Sequence, residues 1–233
     1  MEGTASLSVT TPWECCSSLD CQNGLTLDRL RIECPQFDPA LGVLTGVQVE
    51  LVACGNGVFT WQSPDEGFGG YATNMTFDYV LDGPGISPNV DHELVFPDCG
   101  GSITPNTPQG QCTWGNRCRT SPAAEVSSGS WGAYTGNGTV TLTVDPEFSY
   151  FLAVSGVEIC YFYDAVSTVT VRVTYGYEVC EADFNGDGVV NTQDVTSFLN
   201  AFAAGDEAAD FNGDGVITTR DVLAFLNAWN LGC

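Results

Sequence analysis

Apolar and polar residues alternate one for one along several stretches of the chain. Val169, Val171, Val173, Tyr175, Tyr177 and Val179 are interleaved with Thr170, Arg172, Thr174, Gly176 and Glu178. A period of two marks a strand with one buried face. Val140, Leu142 and Val144 alternate with threonines in the same way, directly after Gly136-Asn137-Gly138, a sequence that suits a hairpin turn. Val47, Val49 and Leu51 predict a third strand, and Leu25 and Leu27 with Leu30 and Ile32 a fourth. Phe148–Val154 and Glu158–Tyr163 add two more. Gly and Pro punctuate these runs and no amphipathic helix interrupts them, so residues 1–179 are expected to form an all-β sandwich.

The period changes near the C-terminus. Val195, Phe198, Leu199 and Phe202 fall at i, i+3, i+4 and i+7, as do Val222, Phe225, Leu226 and Trp229. Each set predicts a short helix with one apolar stripe, and the two stripes can bury against each other. The expected architecture is mainly β: a disulfide-rich sandwich over 1–179, then a small α-helical domain over 180–233. About fifty residues bury too little to be secure on core packing alone, so a metal and a covalent staple are expected. Cys180 precedes this segment and Cys233 ends the chain, and together they provide the staple.

Each predicted helix follows the same acidic phrase. Asp183-Phe-Asn185-Gly-Asp187-Gly188-Val189-Val-Asn191-Thr-Gln-Asp194 returns as Asp210-Phe-Asn212-Gly-Asp214-Gly215-Val216-Ile-Thr218-Thr-Arg-Asp221. A hard cation such as calcium takes six to eight oxygens, and a twelve-residue loop supplies them from positions 1, 3, 5, 7, 9 and 12. Side-chain oxygens at 1, 3 and 5 come from Asp183, Asn185 and Asp187, and from Asp210, Asn212 and Asp214. Position 6 needs positive φ and holds Gly188 and Gly215. Position 7 offers a backbone carbonyl, so Val189 and Val216 are tolerated there. Position 9 holds Asn191 or Thr218, the latter suited to acting through a water, and position 12 is Asp194 or Asp221. Without metal, the six loop aspartates would repel one another with nothing to offset the cost. Two Ca2+ sites are therefore expected.

Residues 180–233 resemble a dockerin, the calcium-binding module that attaches secreted bacterial proteins to cohesin partners. The resemblance rests on the two loop-helix halves and on loops that end in Asp rather than Glu. The Cys180-Glu-Ala-Asp183 start and the Leu231-Gly232-Cys233 end are similar to the subtype with a Gly-Cys terminus. It implies recognition through loop positions 10 and 11 and along the helices, which here are Thr192 and Gln193, then Thr219 and Arg220. These pairs differ in character, against a symmetric two-way binding mode. Gln36-Phe-Asp38-Pro-Ala-Leu-Gly42-Val-Leu-Thr-Gly46-Val-Gln-Val-Glu-Leu51 resembles the opening of choice-of-anchor β-sandwich domains, which implies a surface or matrix protein and brings no catalytic residues.

The net charge of −23 and the absence of lysine narrow the partners. Nothing here could neutralise nucleic-acid phosphates, and anionic membrane surfaces are excluded by the same sign. No stretch has transmembrane length, so no membrane insertion is expected. Eleven cysteines point to an oxidising compartment. No CxxC pair occurs and His92 is the sole histidine, which favours disulfides over zinc. The count is odd, and the adjacent Cys15-Cys16 are expected to be those that reach outward. Met1–Thr11 lacks the basic and apolar regions of a signal peptide, so the chain reads as a mature form, extracellular or on the surface of a bacterium.

Candidate catalytic groups are few. Asp91-His92-Glu93 has no accompanying nucleophile motif, and a strand-edge histidine is the expected role. Carboxylate pairs such as Asp65-Glu66 are expected by chance in so acidic a chain. Asn74-Met-Thr76 and Asn137-Gly-Thr139 fit the glycosylation sequon. Trp13, Trp61, Trp114 and Trp131 are more readily core residues than a sugar platform. The expected function is therefore non-catalytic: a structural protein that anchors, or self-assembles into filaments, through its calcium-loaded tail. The protein partner is a cohesin-like receptor or another copy of the chain. The alternative is a polysaccharide-binding module carried to a scaffold by the same tail.

Overall fold

The computed structural model describes residues 1–17, 21–87, 89–107 and 109–231, and of Gln22 and Asn23 the backbone alone. Its strands are β1 (Glu2–Thr10), β2 (Glu14–Cys16), β3 (Cys21–Thr26), β4 (Leu30–Pro35), β5 (Val43–Gln62), β6 (Gly69–Asp82), β7 (Val90–Ile103), β8 (Gln109–Thr120), β9 (Ala124–Glu125), β10 (Thr139–Ser155) and β11 (Ile159–Glu178). One six-stranded sheet runs β1-β11-β5-β8, with β2 also on β11 and β9 on β5. A five-stranded sheet runs β3-β10-β6-β7, with β4 also on β10. The protein is a β-sandwich with a helical C-terminal segment. Contacts divide it into one compact unit of residues 1–35, 48–130 and 139–174, and a second of 36–47, 131–138 and 175–233.

Alternation builds the core of the first unit. Val49, Leu51, Ala53 and Phe59 from β5, Phe77 from β6, Phe148 from β10 and Val169, Val171 and Val173 from β11 are fully buried. Phe59, Phe148 and Tyr163 lie ring to ring, with centroids 5.0 and 6.1 Å from Tyr163. Two buried tyrosine hydroxyls find hydroxyl partners, Tyr163 on Thr73 and Tyr79 on Ser167. Such pairing removes the cost of placing a phenol between two sheets.

Several expectations change. The runs at 140–144 and 148–154 are one strand, β10, and those at 158–163 and 169–179 are one strand, β11. Gly136-Asn137-Gly138 does not close a hairpin, because a 3-10 helix (Ser128–Ala133) precedes it rather than a strand. Gly136 instead turns with φ +144° and donates its N–H to Phe37 O at 2.8 Å. The buried face of β11 ends at Val173, and Tyr177 and Val179 are exposed.

The cysteines also correct the expectation for Cys15-Cys16. Cys15 bonds Cys160 and Cys54 bonds Cys118, each across neighbouring strands of the six-stranded sheet. Cys16–Cys21 and Cys99–Cys112 join one sheet to the other, β2 to β3 and β7 to β8. Among the described residues the free cysteine is Cys34, fully buried on β4 with Sγ 3.8 Å from Val171 O. It is an inward position of the alternation, so a thiol there acts as a small apolar side chain. Burial pushes its pKa up. Cys34 is expected to resist iodoacetamide in the folded protein and to be labelled after denaturation, read by peptide mass; labelling at native rates equal to those in denaturant would contradict this packing.

Candidate metal centre

Two helices of thirteen residues, α1 (Thr192–Ala204) and α2 (Thr219–Leu231), carry the tail. Phe198 and Phe225 are fully buried and stacked, with centroids 4.2 Å apart and rings 7° from parallel. Phe184 and Phe211 meet this pair edge-on, at 5.3 and 6.0 Å from Phe198 and 6.0 and 5.5 Å from Phe225. Val195, Phe202, Val222 and Trp229 pack around them as expected. Leu199 and Leu226 do not: they are 46% and 40% exposed. The stripe is narrower than the periodicity implies because Phe184, Phe211 and Ile217, all loop residues, fill the space.

The loops repeat one set of backbone N–H bonds to side-chain oxygens. Asp183 accepts from Asp187 N at 3.1 Å and Gly188 N at 2.7 Å; Asp210 accepts from Asp214 N at 3.1 Å and Gly215 N at 2.8 Å. Asn185 and Asn212 accept from the same aspartate amides, at 2.8 and 2.9 Å. Asp187 and Asp214 accept from Val189 N and Val216 N at 2.9 and 3.0 Å. Gly188 and Gly215 have φ of +84° and +83°, as position 6 demands. Gly186 and Gly213 at position 4 are also left-handed, +71° and +69°. A glycine repeated in both copies at that position is the signal that could have revealed it.

Asp194 and Asp221, in the first turn of each helix, are fully buried. Their oxygens accept from Asn185 N and Asn191 N, and from Asn212 N and Thr218 N, at 2.7 to 3.1 Å. Backbone N–H groups of Thr218 and Asn212 hold the Asp221 carboxyl below the usual carboxylate range. Among the described residues arginines pair with Asp145, Glu2 and Glu50, and none pairs with these buried carboxylates. A buried carboxylate needs a compensating charge. Each ionised carboxylate has about four lone-pair sites, more than these N–H groups occupy. An all-oxygen, strongly anionic donor set of this kind fits a hard cation such as calcium.

Position 9 is placed differently. Asn191 caps α1, accepting from Gln193 N at 2.7 Å, while its amide donates to Val189 O at 3.0 Å. Thr218 accepts from Arg220 N at 3.2 Å. Both side chains are engaged as helix caps. Trp229 adds a contact with no counterpart in the other repeat, donating Nε1–H to Asn191 O at 3.0 Å and tying α2 to the first loop. Thr192, Gln193, Thr219 and Arg220 are all exposed. Cys180 is disulfide-bonded; Cys233, its expected partner, lies outside the described residues.

The remaining candidates lie elsewhere. His92 is an inward residue of β7 with Nε2 3.1 Å from Arg119 O, whereas Asp91 and Glu93 point to the opposite face, so the three form no cluster. Burial lowers its pKa. Trp61 and Trp114 are buried and Trp131 is half-buried, which dismantles a four-tryptophan platform and leaves Trp13 as its exposed member. Among the described residues no helix is long and apolar enough to cross a membrane.

Residues 181–230 match the dockerin type I domain. No curated protein matches the chain. Among solved structures, that of infectious bursal disease virus Gx strain is 11% identical over 79% of this chain and 49% of that one, with a TM-score of 0.18. The VP2 subviral particle of infectious bursal disease virus is 12% identical over 92% and 55%, TM-score 0.16. A family 11 carbohydrate-binding module from Clostridium thermocellum, in complex with a β-1,3-1,4-mixed-linked tetrasaccharide, is 7% identical over 71% and 94%, TM-score 0.13. The chain spans about half the length of the two viral chains, and likeness at these scores carries no functional argument. The duplicated loops, their oxygen donors and the family match agree: the C-terminal segment of this protein is a dockerin type I domain, following a β-rich domain.

Proposed function

We propose that this is an extracellular, non-catalytic structural protein that anchors or assembles through its dockerin module, stabilised by two calcium ions. The observation that carries the reading is the repetition of one set of backbone-to-side-chain bonds in the two acidic loops, each closed on a buried aspartate that has no cationic partner among the described residues. Asp183, Asn185, Asp187, the Val189 carbonyl and Asp194 hold one ion; Asp210, Asn212, Asp214, the Val216 carbonyl and Asp221 hold the other. Asn191 and Thr218, engaged as caps, contribute through water. The ions fold the module, since binding energy here is folding energy. The docking face joins Thr192, Gln193, Thr219 and Arg220 to the exposed leucines Leu199, Leu223 and Leu226. Four disulfides in the sandwich suit an oxidising exterior.

The partner is a protein, either a cohesin-like receptor or another copy of this chain. Electron microscopy of the purified protein in millimolar calcium, and again after EDTA, separates the two. Filaments present with calcium and lost with EDTA assign the partner as another copy, since a head-to-tail contact that does not close yields open assemblies. Monodisperse particles in both conditions assign a separate receptor. Assemblies that keep their size in excess EDTA would contradict docking through the calcium module.

A further inference from the structure

The outer face of the six-stranded sheet holds a second candidate site, wholly within the first compact unit. β5 and β8 pair with Thr60 opposite Gln111 and Gln62 opposite Gln109. The inward neighbours Phe59 and Trp61 are buried, so these four side chains share the solvent face. Beside them stands Trp13, between β1 and β2, 53% exposed, with its ring edge-on to Phe162 of β11 at 4.8 Å. Trp13, Thr60, Trp61, Gln62, Gln109, Gly110 and Gln111 line one depression of about 410 Å³. Small-ligand sites span about 300–1,000 Å³.

The lining chemistry is selective. Three of the chain's seven glutamines meet here, and among the described residues no charged side chain lines the depression although the chain carries a net charge of −23. A glutamine amide offers two donors and an acceptor, and among the described residues none of these three amides is committed to a hydrogen bond. Gly110 is bare because the Trp61 ring covers it: a Cβ there would lie 2.8 Å from the indole. The indole Nε1 of Trp61, buried beside Gly110, has no hydrogen-bond partner among the described residues. A neutral polyol matches this set. Its ring C–H face suits an exposed indole, and its hydroxyls both donate to and accept from amides. A uronate or phosphate would find no arginine or lysine to pair with.

We infer that this depression binds a neutral saccharide, with Trp13 stacking on a sugar ring and Gln62, Gln109 and Gln111 bonding its hydroxyls. The site owes nothing to the dockerin module, and it differs from a platform of four tryptophans in using one.

Affinity gel electrophoresis of the full chain tests it, with mixed-linkage β-glucan, xylan, galactomannan or dextran cast in separate gels and polygalacturonate as the anionic control. Retardation is expected in at least one neutral glycan and not in polygalacturonate. Trp13→Ala should weaken it at least about tenfold, as loss of a central aromatic anchor does. Trp13→Phe should retain part, and the exposed double variant Gln109→Ala/Gln111→Ala should weaken it without touching an aromatic residue. EDTA should leave retardation unchanged, which separates this site from the tail. Absence of retardation in every neutral glycan, retardation by polygalacturonate alone, or full retardation in both Trp13→Ala and the glutamine double variant would overturn the inference.

Discussion

Phe198→Ala is expected to unfold the dockerin module at 25 °C while the sandwich keeps its own melting transition. Phe198 is fully buried, stacks on Phe225 at 4.2 Å, and meets Phe184 and Phe211 edge-on. Truncating such a ring costs about 3–5 kcal/mol, from lost transfer energy and from the cavity left behind. A core of this size rarely supplies more than about 3–5 kcal/mol in all. Helical circular dichroism at 222 nm in millimolar calcium reads the outcome. Leu199→Ala, one residue on, provides the contrast: its side chain is 46% exposed, and the change should stay within about 0.5 kcal/mol. Equal losses in the two variants would mean that the stacked ring pair is not the centre of this module.

That contrast marks how far periodicity reads the tail. The i, i+3, i+4, i+7 rule finds the helices and Phe198 and Phe225, yet it gives Leu199 and Leu226 the same standing. What separates them is Phe184 and Phe211, apolar residues at position 2 of acidic loops, where a helical period has not begun. Their repetition in both copies was legible; their burial depends on the loop closing around its aspartates. The sandwich shows a similar division. Period-two alternation identifies the inner residues of β10 and β11 but breaks each strand in two, because Pro146 and the outward apolar Val166 followed by the inward polar Ser167 interrupt the pattern while backbone pairing continues through them. The free cysteine was hidden for another reason. Disulfide partners are set by which strands become neighbours, so Cys34 is left over only once β4 lies against β10.

Chelation should have an effect of comparable size. At a thousandfold excess over its dissociation constant, a ligand contributes about 4 kcal/mol per site to the folded state. Excess EDTA is therefore expected to abolish the helical signal of residues 192–231 and to leave the transition of the β-domain in place. Asp183→Ala should reproduce much of this in the presence of calcium. The substitution removes an oxygen donor and also frees the amides of Asp187 and Gly188, which the carboxylate holds at 3.1 and 2.7 Å. Trp229 extends the damage, since its bond to Asn191 O couples the first loop to the second helix. Thermal melts that superimpose with and without calcium would contradict the metal-centre reading.

The tail leaves the sandwich through β11, and this has a mechanical consequence. β11 is twenty residues long and flanked by strands on both sides, β1 and β2 on one and β5 on the other. Tension applied to the chain beyond Glu178 in the direction of the strand would run perpendicular to its ladder of hydrogen bonds. Those bonds are then loaded together rather than opened one after another. Cys160 sits near the far end of the same strand, bonded to Cys15. A covalent stop at that point means that traction on the tether must drag a neighbouring strand with it before β11 can slip free.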